Sequence, residues 1–545
     1  MSYIEFEQRF FGRTETLAVL KRRLLDLKEG YRQNVALMGS RYIGKSSILH
    51  HFVMNLDDKE VVSIYLDLEN KDFNYLFSKF AGSLLYNFSR NRNLQLHSDL
   101  NILLESTKTL IPCTVSVIRK LLSDTQAGKT NEAFLGLLTL PEVFTNETGC
   151  FCLLLIDEFQ ALEEYGLNNP FQSLGQKIMT QKKCLYVLSS SFPLLAHRIL
   201  SEKLSLLFGN FEMLNIEPFD LKSSQEFVEH NLLPLKIGAQ LKNFLTDFTG
   251  GHPLYFSLIC KEVRNLSAIY SQDEIYLPLL SQAVENTIFN RWGVISRHFE
   301  LMINELCSGK GNQCVAFLLL SLANGKNKLE NIFSDVKSGR NLLKQKLYKL
   351  IELGHVARNG NYHYLKDKLF KYWLKYVYQK RIKDVELAPD MQKKQFKEEF
   401  NRSVENFKVS SRKELSSRIT ELLHCFDSES FDLNGRKYRL PSFREMEPLK
   451  YRNENGILFD VIKAVSGDSL WFFIMKKEPL GENDIYDIVE EAKKNDKRPE
   501  RCILISLTGM DESAKVRAIQ EKLWIWNESE LNTLLTLFDK PFILS

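Results

Sequence analysis

The stretch "VALMGSRYIGKSSILHHF" (residues 35–52) runs an apolar segment into a glycine, loops through a few residues and restarts as an apolar helix. Its spacing, Gly39-x4-Gly44-Lys45-Ser46, is that of the phosphate-binding loop GxxxxGK[ST]. Glycines let the backbone curl so that successive N–H groups point inward at phosphate oxygens. Lys45 then reaches the β- and γ-phosphates, the Ser46 hydroxyl binds Mg²⁺, and the following helix presents its positive end to the same anion. "NVALM" (34–38) reads as the buried strand and "KSSILHHFV" as the helix that the motif requires. Candidate cofactor-binding residues are Gly39, Ser40, Arg41, Tyr42, Ile43, Gly44, Lys45, Ser46 and Ser47.

Such a loop calls for an acidic strand end, and "FCLLLIDEFQ" (151–160) supplies one. The unbroken apolar run suits a parallel strand buried on both faces. Asp157 at its end is a candidate Mg²⁺ ligand together with Ser46, and Glu158 a candidate general base for water. Lys45, Asp157 and Glu158 are therefore the catalytic candidates. Further strands are expected at 61–69, 184–192 and 211–219, with helical spacers between them. That alternation predicts a parallel sheet with helices on both faces. Ser189, Ser190 and Ser191 fall at the carboxyl edge of the 184–192 strand, where open sheets bind ligands, and Ser190 is the candidate phosphate contact.

At 545 residues the chain exceeds what one core supports, and several domains are expected. Its 44% hydrophobic and 26% charged residues are those of an ordinary globular protein. No apolar run approaches the roughly 20 residues that span a bilayer, and no secretory signal is evident at the start. Nine cysteines without a CxxC pair suit a reducing, cytoplasmic setting. A net charge of +4 does not by itself imply nucleic-acid binding.

Three further segments carry a family resemblance. "FFGRTETLAVLKRRL" (10–24) resembles the box that opens prokaryotic AAA-like, STAND-type ATPases, the archaeal ATPase group, at Phe10, Gly12, Arg13 and Leu17. Thr16 stands where that box has its second acid. "FTGGHPLYFSLIC" (248–260) resembles the family's Gly-Gly-x-Pro motif at Gly250, Gly251 and Pro253, and the resemblance implies that Pro253 opens a lid helix near the nucleotide. "HYLKDKLFKYWLKYVY" (363–378) looks like the helix closing the family's winged-helix domain, at Asp367, Phe370 and Trp373. The segments lie in order over about two thirds of the chain. The resemblance implies ATP and Mg²⁺ as cofactors. It also implies a Gly-Arg pair before the last core strand, whose arginine meets phosphate. Here Gly209 is followed by Asn210. An arginine opposite the γ-phosphate contributes roughly 10³ or more in rate, so slow basal turnover is expected. Arg198 is the nearby alternative, with a solvated helix arginine the plainer reading.

In the middle of the chain, "SSQEFVEHNL" (223–232) reads as a helix with a Ser223/Glu226 capping box. "NLLKQKLYKLIELGHVARNGNYHYL" (341–365) reads as a helix and a hairpin turning at Asn359-Gly360, the form of a winged helix. Lys344, Lys346, Lys349 and Arg358 give it a basic face, so it reads either as a DNA reader or as a packing module. Residues 379–410 read as a charged connector. Beyond it, a helix, paired strands at 455–465 and 469–478, a helix and a strand resemble the restriction-endonuclease-like domain that many such ATPases carry. The resemblance implies an acid on the first paired strand and acid-x-lysine on the second. Asp460 and Lys476 fit, but Ile474 stands at the acid position, and Met475 replaces it if the register shifts to Lys477. Glu421 is a conceivable extra ligand. The domain is expected to be degenerate, with Asp460/Lys476 a salt bridge or surface pair.

The expected fold is α/β: a P-loop NTPase core (1–219), helical lid (220–285), winged helix (286–380), charged connector (381–410) and endonuclease-like domain (411–545). The expected function is an ATP-dependent switch without a membrane partner. Double-stranded DNA, a partner protein and a nucleotide-dependent homo-oligomer are the candidate partners. The alternative is an ATPase-coupled DNA nuclease or DNA-remodelling factor.

Overall fold

The inner strands of the first sheet are apolar runs, and the sheet explains why. The computed structural model describes residues 10–69, 72–204, 209–309, 311–336, 338–383, 389–452, 458–476, 478–493 and 499–543. Residues 206–208, 384–388, 455–457 and Lys477, each part of a sequence expectation, lie outside the described residues. Two compact units are formed, Met1–Pro218 with Glu352–Gly354, and Phe219–Ile351 with His355–Ser545.

In the first unit, β1 (Asn34–Met38), β2 (Val61–Asp67), β3 (Phe151–Asp157), β4 (Cys184–Ser190) and β5 (Phe211–Asn215) form one parallel sheet in the order β2-β3-β4-β1-β5. Side chains alternate between two apolar cores. Ala36, Met38, Leu154 and Ile156 enter one, with helices Phe73–Asn91, Pro112–Gln126, Thr130–Thr148 and Pro170–Thr180. Val35, Leu37, Leu153 and Leu155 enter the other, with helices Thr14–Lys28 and Lys45–Met54. Both faces are covered, so β1, β3 and β4 are apolar nearly throughout rather than alternating, while the edge strand β5 is half-buried and pairs its Glu212 with Arg23. Each crossover carries a helix, as parallel pairing demands. The loop-bearing strand β1 lies between β4 and β5, and β3 lies one strand further out. This is the α/β P-loop NTPase fold expected from the sequence.

The second unit begins with helices Leu221–Leu232, Ala239–Thr249, Pro253–Tyr270 and Leu277–Val284, and the short parallel pair β6 (Lys236–Ile237) and β7 (Glu274–Ile275). Asp220 caps the first of them by accepting from Ser223 N, so the helix starts ahead of the expected Ser223 cap. Helices Val294–Cys307, Gln313–Ala323, Leu329–Ser334 and Arg340–Glu352 follow, then the hairpin β8 (Val356–Asn359) and β9 (Tyr362–Leu365). Within the segment read as a charged connector, Pro389–Arg412 is a helix whose Phe396, Phe400, Val404 and Phe407 are buried. The rings of Phe400 and Phe407 lie 5.6 and 5.7 Å from that of Phe244. An i, i+4, i+8, i+11 stripe inside a charged sequence is an amphipathic packing helix.

The last part holds the hairpin β10 (Ser430–Leu433) and β11 (Arg436–Arg439), then a five-stranded mixed sheet. β12 (Glu445–Arg452), β13 (Leu458–Ser466) and β14 (Ser469–Lys476) are antiparallel neighbours, and β14, β15 (Arg501–Ser506) and β16 (Trp524–Trp526) run parallel. The tip of β8–β9 rests on β10. Asn359 Nδ2 donates to Asp432 O (2.9 Å), Asp432 N to Asn359 Oδ1 (2.6 Å) and Asn361 N to Ser430 O (3.0 Å). Gly360, at φ 58°, packs so closely that a Cβ would lie 2.1 Å from Ser430 O. Among the described residues, no helix is long and apolar enough to cross a membrane.

Candidate functional site

The phosphate loop closes over the carboxyl end of β1. Gly39 N donates to Ser190 O (3.3 Å) and Ile43 N to Ser40 O (3.4 Å). A Cβ on Gly39 would lie 2.6 Å from Ile216 O and 2.9 Å from Ile43 Cγ2, so no other residue fits there without displacing the loop. Gly44 takes φ 104°, which L side chains rarely adopt, and no atom lies within 4 Å of where its Cβ would be. Tyr42 is also left-handed, at φ 62°. Arg13 braces the loop from outside, its guanidinium donating to Ile43 O (3.3 Å) and Glu217 O (2.8 Å). That gives the sequence's opening box a physical role in the first unit.

Lys45 is buried, with 3% of its surface exposed, and its ammonium is held three ways. It donates to Gly39 O (3.1 Å), Ser40 O (2.9 Å) and Ser191 Oγ (2.9 Å), and lies 4.0 Å from Glu158 Oε1. Burial pushes its pKa down, while the Glu158 and Asp157 carboxylates oppose that and Arg41 adds to it. Ser191 links the lysine to the acid: its N donates to Glu158 Oε2 (2.9 Å) and its hydroxyl to Glu158 Oε1. Gln160 Nε2 also donates to Glu158 Oε2 (2.7 Å). Glu158 stands at φ 52°, strained for a glutamate and common at functional positions.

Asp157 ends β3 and is buried. Its Oδ2 accepts from Tyr65 OH (2.8 Å), its Oδ1 from Glu158 N (3.1 Å) and from the Ser189 hydroxyl. The β2–β3 register, with Tyr65 opposite Leu155 and Asp67 opposite Asp157, brings Tyr65 to it from the neighbouring strand. The His50 ring sits 4.2 Å from that of Tyr65, and burial lowers the His50 pKa. Ser46, the second residue of the helix, is exposed, and Ser47 is half-buried.

The sequence candidates thus gather at one sheet edge: the loop 39–44, Lys45, Asp157 and Glu158. Ser190 is there too, but its hydroxyl accepts from Phe192 N (3.1 Å), and it is Ser191 that reaches both Lys45 and Glu158. Tyr65 and Ser189 support Asp157, a role that only strand pairing discloses. Asn210 is exposed. Arg198 is half-exposed and pairs with Glu352 at 2.8 Å, both within the first unit.

Pro253 lies in the second unit, at the first position of helix Pro253–Tyr270. Gly251 before it, at φ 75°, has no room for a Cβ, which would lie 2.3 Å from Phe219 O. His252 stacks on Tyr255 (4.3 Å), and Tyr255 OH donates to Asp367. Burial raises the Asp367 pKa, and the bonds from Tyr255 and Phe370 N work against that. The glycine–proline segment and the 367–370 segment therefore pack on one another.

The C-terminal candidates do not assemble. Asp460 pairs across the ladder with Met475, so it shares a face with Ile462, Ala464 and Met475. Lys476 points to the opposite face, with Phe459, Phe472 and Ile474. The expected Asp460/Lys476 pair is therefore corrected: strand alternation puts the two on different sides. Lys476 instead donates to Asp484 Oδ2 (2.7 Å), both side chains being under a tenth exposed. On the lysine's face the two positions where carboxylates would sit are Val461 and Ile474, opposite each other in register. Glu421 pairs with Lys413. No group of three or more His, Cys, Asp or Glu positioned to hold a metal occurs among the described residues.

No family model matches the chain, and no curated protein matches it. Solved structures do resemble it. The Walker-type ATPase of Pyrococcus abyssi is 17% identical, covering 67% of this chain and 96% of its own, with a TM-score of 0.47. The ORC2 protein of Aeropyrum pernix, in its ADPNP–ADP complexes, is 12% identical, covering 70% and 99%, with a TM-score of 0.42. The RuvB Holliday junction branch migration motor of Thermotoga maritima is 13% identical, covering 69% and 97%, with a TM-score of 0.35. Every score is below 0.5, and the fold rests on the strand order and loop described above.

Proposed function

We propose that the chain binds ATP with Mg²⁺ at the phosphate loop, hydrolyses it slowly and works as a nucleotide-dependent switch. The observation that carries this is the buried relay Lys45–Ser191–Glu158 beneath the loop, with Asp157 tied in beside it. The donor set fits the cofactor. An ammonium and the loop N–H groups suit phosphate, and the Ser46 hydroxyl and Asp157 carboxylate are hard oxygen ligands suited to Mg²⁺. Bound there, Mg²⁺ would neutralise charge on the β- and γ-phosphates. Lys45 would exchange its loop carbonyls for phosphate oxygen. Glu158 is the group placed to take a proton from water, yet it already accepts from Ser191 and Gln160, which supports slow turnover.

The remaining domains follow the same reading. Residues 220–285 serve as a helical lid, and 286–380 as a winged helix used for packing. Its hairpin tip is occupied by β10, which supports packing over DNA reading. Residues 411–545 are a non-cutting relative of the endonuclease fold, as the Val461/Ile474 positions favour. Double-stranded DNA, a partner protein and a homo-oligomer remain candidate partners of the ATP-bound state. The test is ATP turnover with and without duplex DNA, in the native chain and in Glu158→Gln. The native rate should fall well below roughly 10 s⁻¹, and Glu158→Gln should bind ATP without turning it over. Fast turnover surviving in Glu158→Gln would sink the assignment.

A further inference from the structure

The phosphate loop carries an arginine of its own. Arg41 is the third residue of the loop, between Ser40, whose carbonyl holds Lys45, and Tyr42, whose ring lies 5.4 Å from the guanidinium. Its Nη2 donates to Glu69 Oε1 at 2.6 Å. Glu69 follows β2 at the carboxyl edge of the sheet, where its N donates to Asp67 Oδ1 (2.9 Å) and Leu68 N donates to Asp157 O (3.1 Å). The latch is thus anchored beside the acidic strand end. Arg41 and Glu69 are each about half exposed, at 46% and 52%. An exposed ion pair of this kind contributes little, so it exchanges easily. Arginine bonds phosphate oxygens with a planar, two-pronged guanidinium, and such charge-assisted bonds are the stronger ones. Burial first, the acids next and Arg41 after them set the Lys45 ammonium's acidity, so Arg41 is electrostatically close to the residue that meets the β- and γ-phosphates. The two other candidate positions near the last core strand do not compete: residue 210 is asparagine, and Arg198 is paired with Glu352.

We propose that Arg41 is the sensor of the nucleotide's terminal phosphate, latched by Glu69 and exchanging that carboxylate for phosphate oxygen when a triphosphate fills the loop. This rests on the nucleotide-binding reading above. It makes the ligand class a nucleoside triphosphate rather than a diphosphate, and places the discrimination in this chain rather than in a neighbour's arginine.

The experiment measures ATP and ADP affinity, with Mg²⁺, by calorimetry on the full chain and on Arg41→Gln, Glu69→Gln and the double variant. Half-exposed residues can be exchanged without loss of fold, which melting without nucleotide checks. Arg41→Gln should weaken ATP binding about tenfold or more and leave ADP within about twofold. Glu69→Gln should tighten ATP binding, and that gain should vanish in the double variant. Equal weakening of ATP and ADP by Arg41→Gln, or no weakening of either, would overturn the sensor while leaving the loop assignment intact. A native chain that binds neither nucleotide would overturn the assignment and the sensor together.

Discussion

Two sheets in this molecule carry carboxylates on strands beside a lysine, and only one brings them together. At the edge of the parallel sheet, β1, β3 and β4 all finish on the same side. Lys45, Asp157, Glu158 and Ser191 therefore converge although they are scattered over some 150 positions. At the C-terminal sheet, Asp460 and Lys476 stand on adjacent strands, yet antiparallel register places Asp460 opposite Met475 and turns Lys476 to the other face. Parallel strands gather their carboxyl ends whatever the sequence distance between them. Antiparallel neighbours share a face only at matched register, so a slip of one position dissolves a motif.

The comparison breaks most readily at Lys476. If it is a structural cation of a buried pair, Lys476→Met leaves the buried Asp484 carboxylate without its cation, still accepting from Gly481 N (2.8 Å). The cost should be about 3–5 kcal/mol in denaturant unfolding of the full chain, with most of it recovered in Lys476→Met/Asp484→Leu. A loss below about 1 kcal/mol would mean the pair is solvated and the lysine free for other work.

At the other sheet, Lys45→Ala tests ligand-linked stability. At 100 times its Kd, Mg²⁺-ATP should add about 2.7 kcal/mol to the native chain and almost nothing to the variant. An equal thermal shift in both would show that the nucleotide binds elsewhere. Tyr65→Phe probes the carboxylate's support. Losing one bond to Asp157 should raise the Mg²⁺ concentration needed for nucleotide binding about tenfold, with binding in EDTA unaltered. Weakening in EDTA as well would make Tyr65 a support of the loop and not of the metal ligand.

The smallest effect is expected at Asp460. Asp460→Asn should change stability by no more than about 0.5 kcal/mol, and neither form should cleave duplex DNA in Mg²⁺. Cleavage by the native chain that the variant lacks would show Asp460 to be a ligand after all.

What was legible follows the same division. The loop could be read because its spacing is local, and β3 because a run buried on both faces needs no partner to be recognised. Ser191 was one residue beyond the candidate Ser190, since only the structure shows that Ser190 spends its carbonyl on Gly39 and its hydroxyl on Phe192. Tyr65 on Asp157, Glu69 on Arg41 and Asp484 on Lys476 all depend on which strands and faces meet, which periodicity along one segment does not encode. The apolar stripe Phe396–Phe407 was hidden differently: four buried positions are diluted by lysines and glutamates that occupy the solvent side of the same helix.

The tip of the β8–β9 hairpin has a consequence for how the chain comes apart. Tyr362 is fully buried, and its neighbours are Phe426 and Phe538, residues of the C-terminal part. Lys328 is tied to Asp427, and Asn327 Nδ2 donates to Leu537 O (2.8 Å). A hydrophobic core with members from both sides of residues 389–412 does not divide at that helix. The hairpin and the sheet that follows it should therefore melt in a single transition, and hydrogen exchange at Tyr362 should report the same opening energy as at Phe426. Evolution would meet the same constraint as the experimenter: the C-terminal part cannot be traded for another module without repacking the hairpin beneath it.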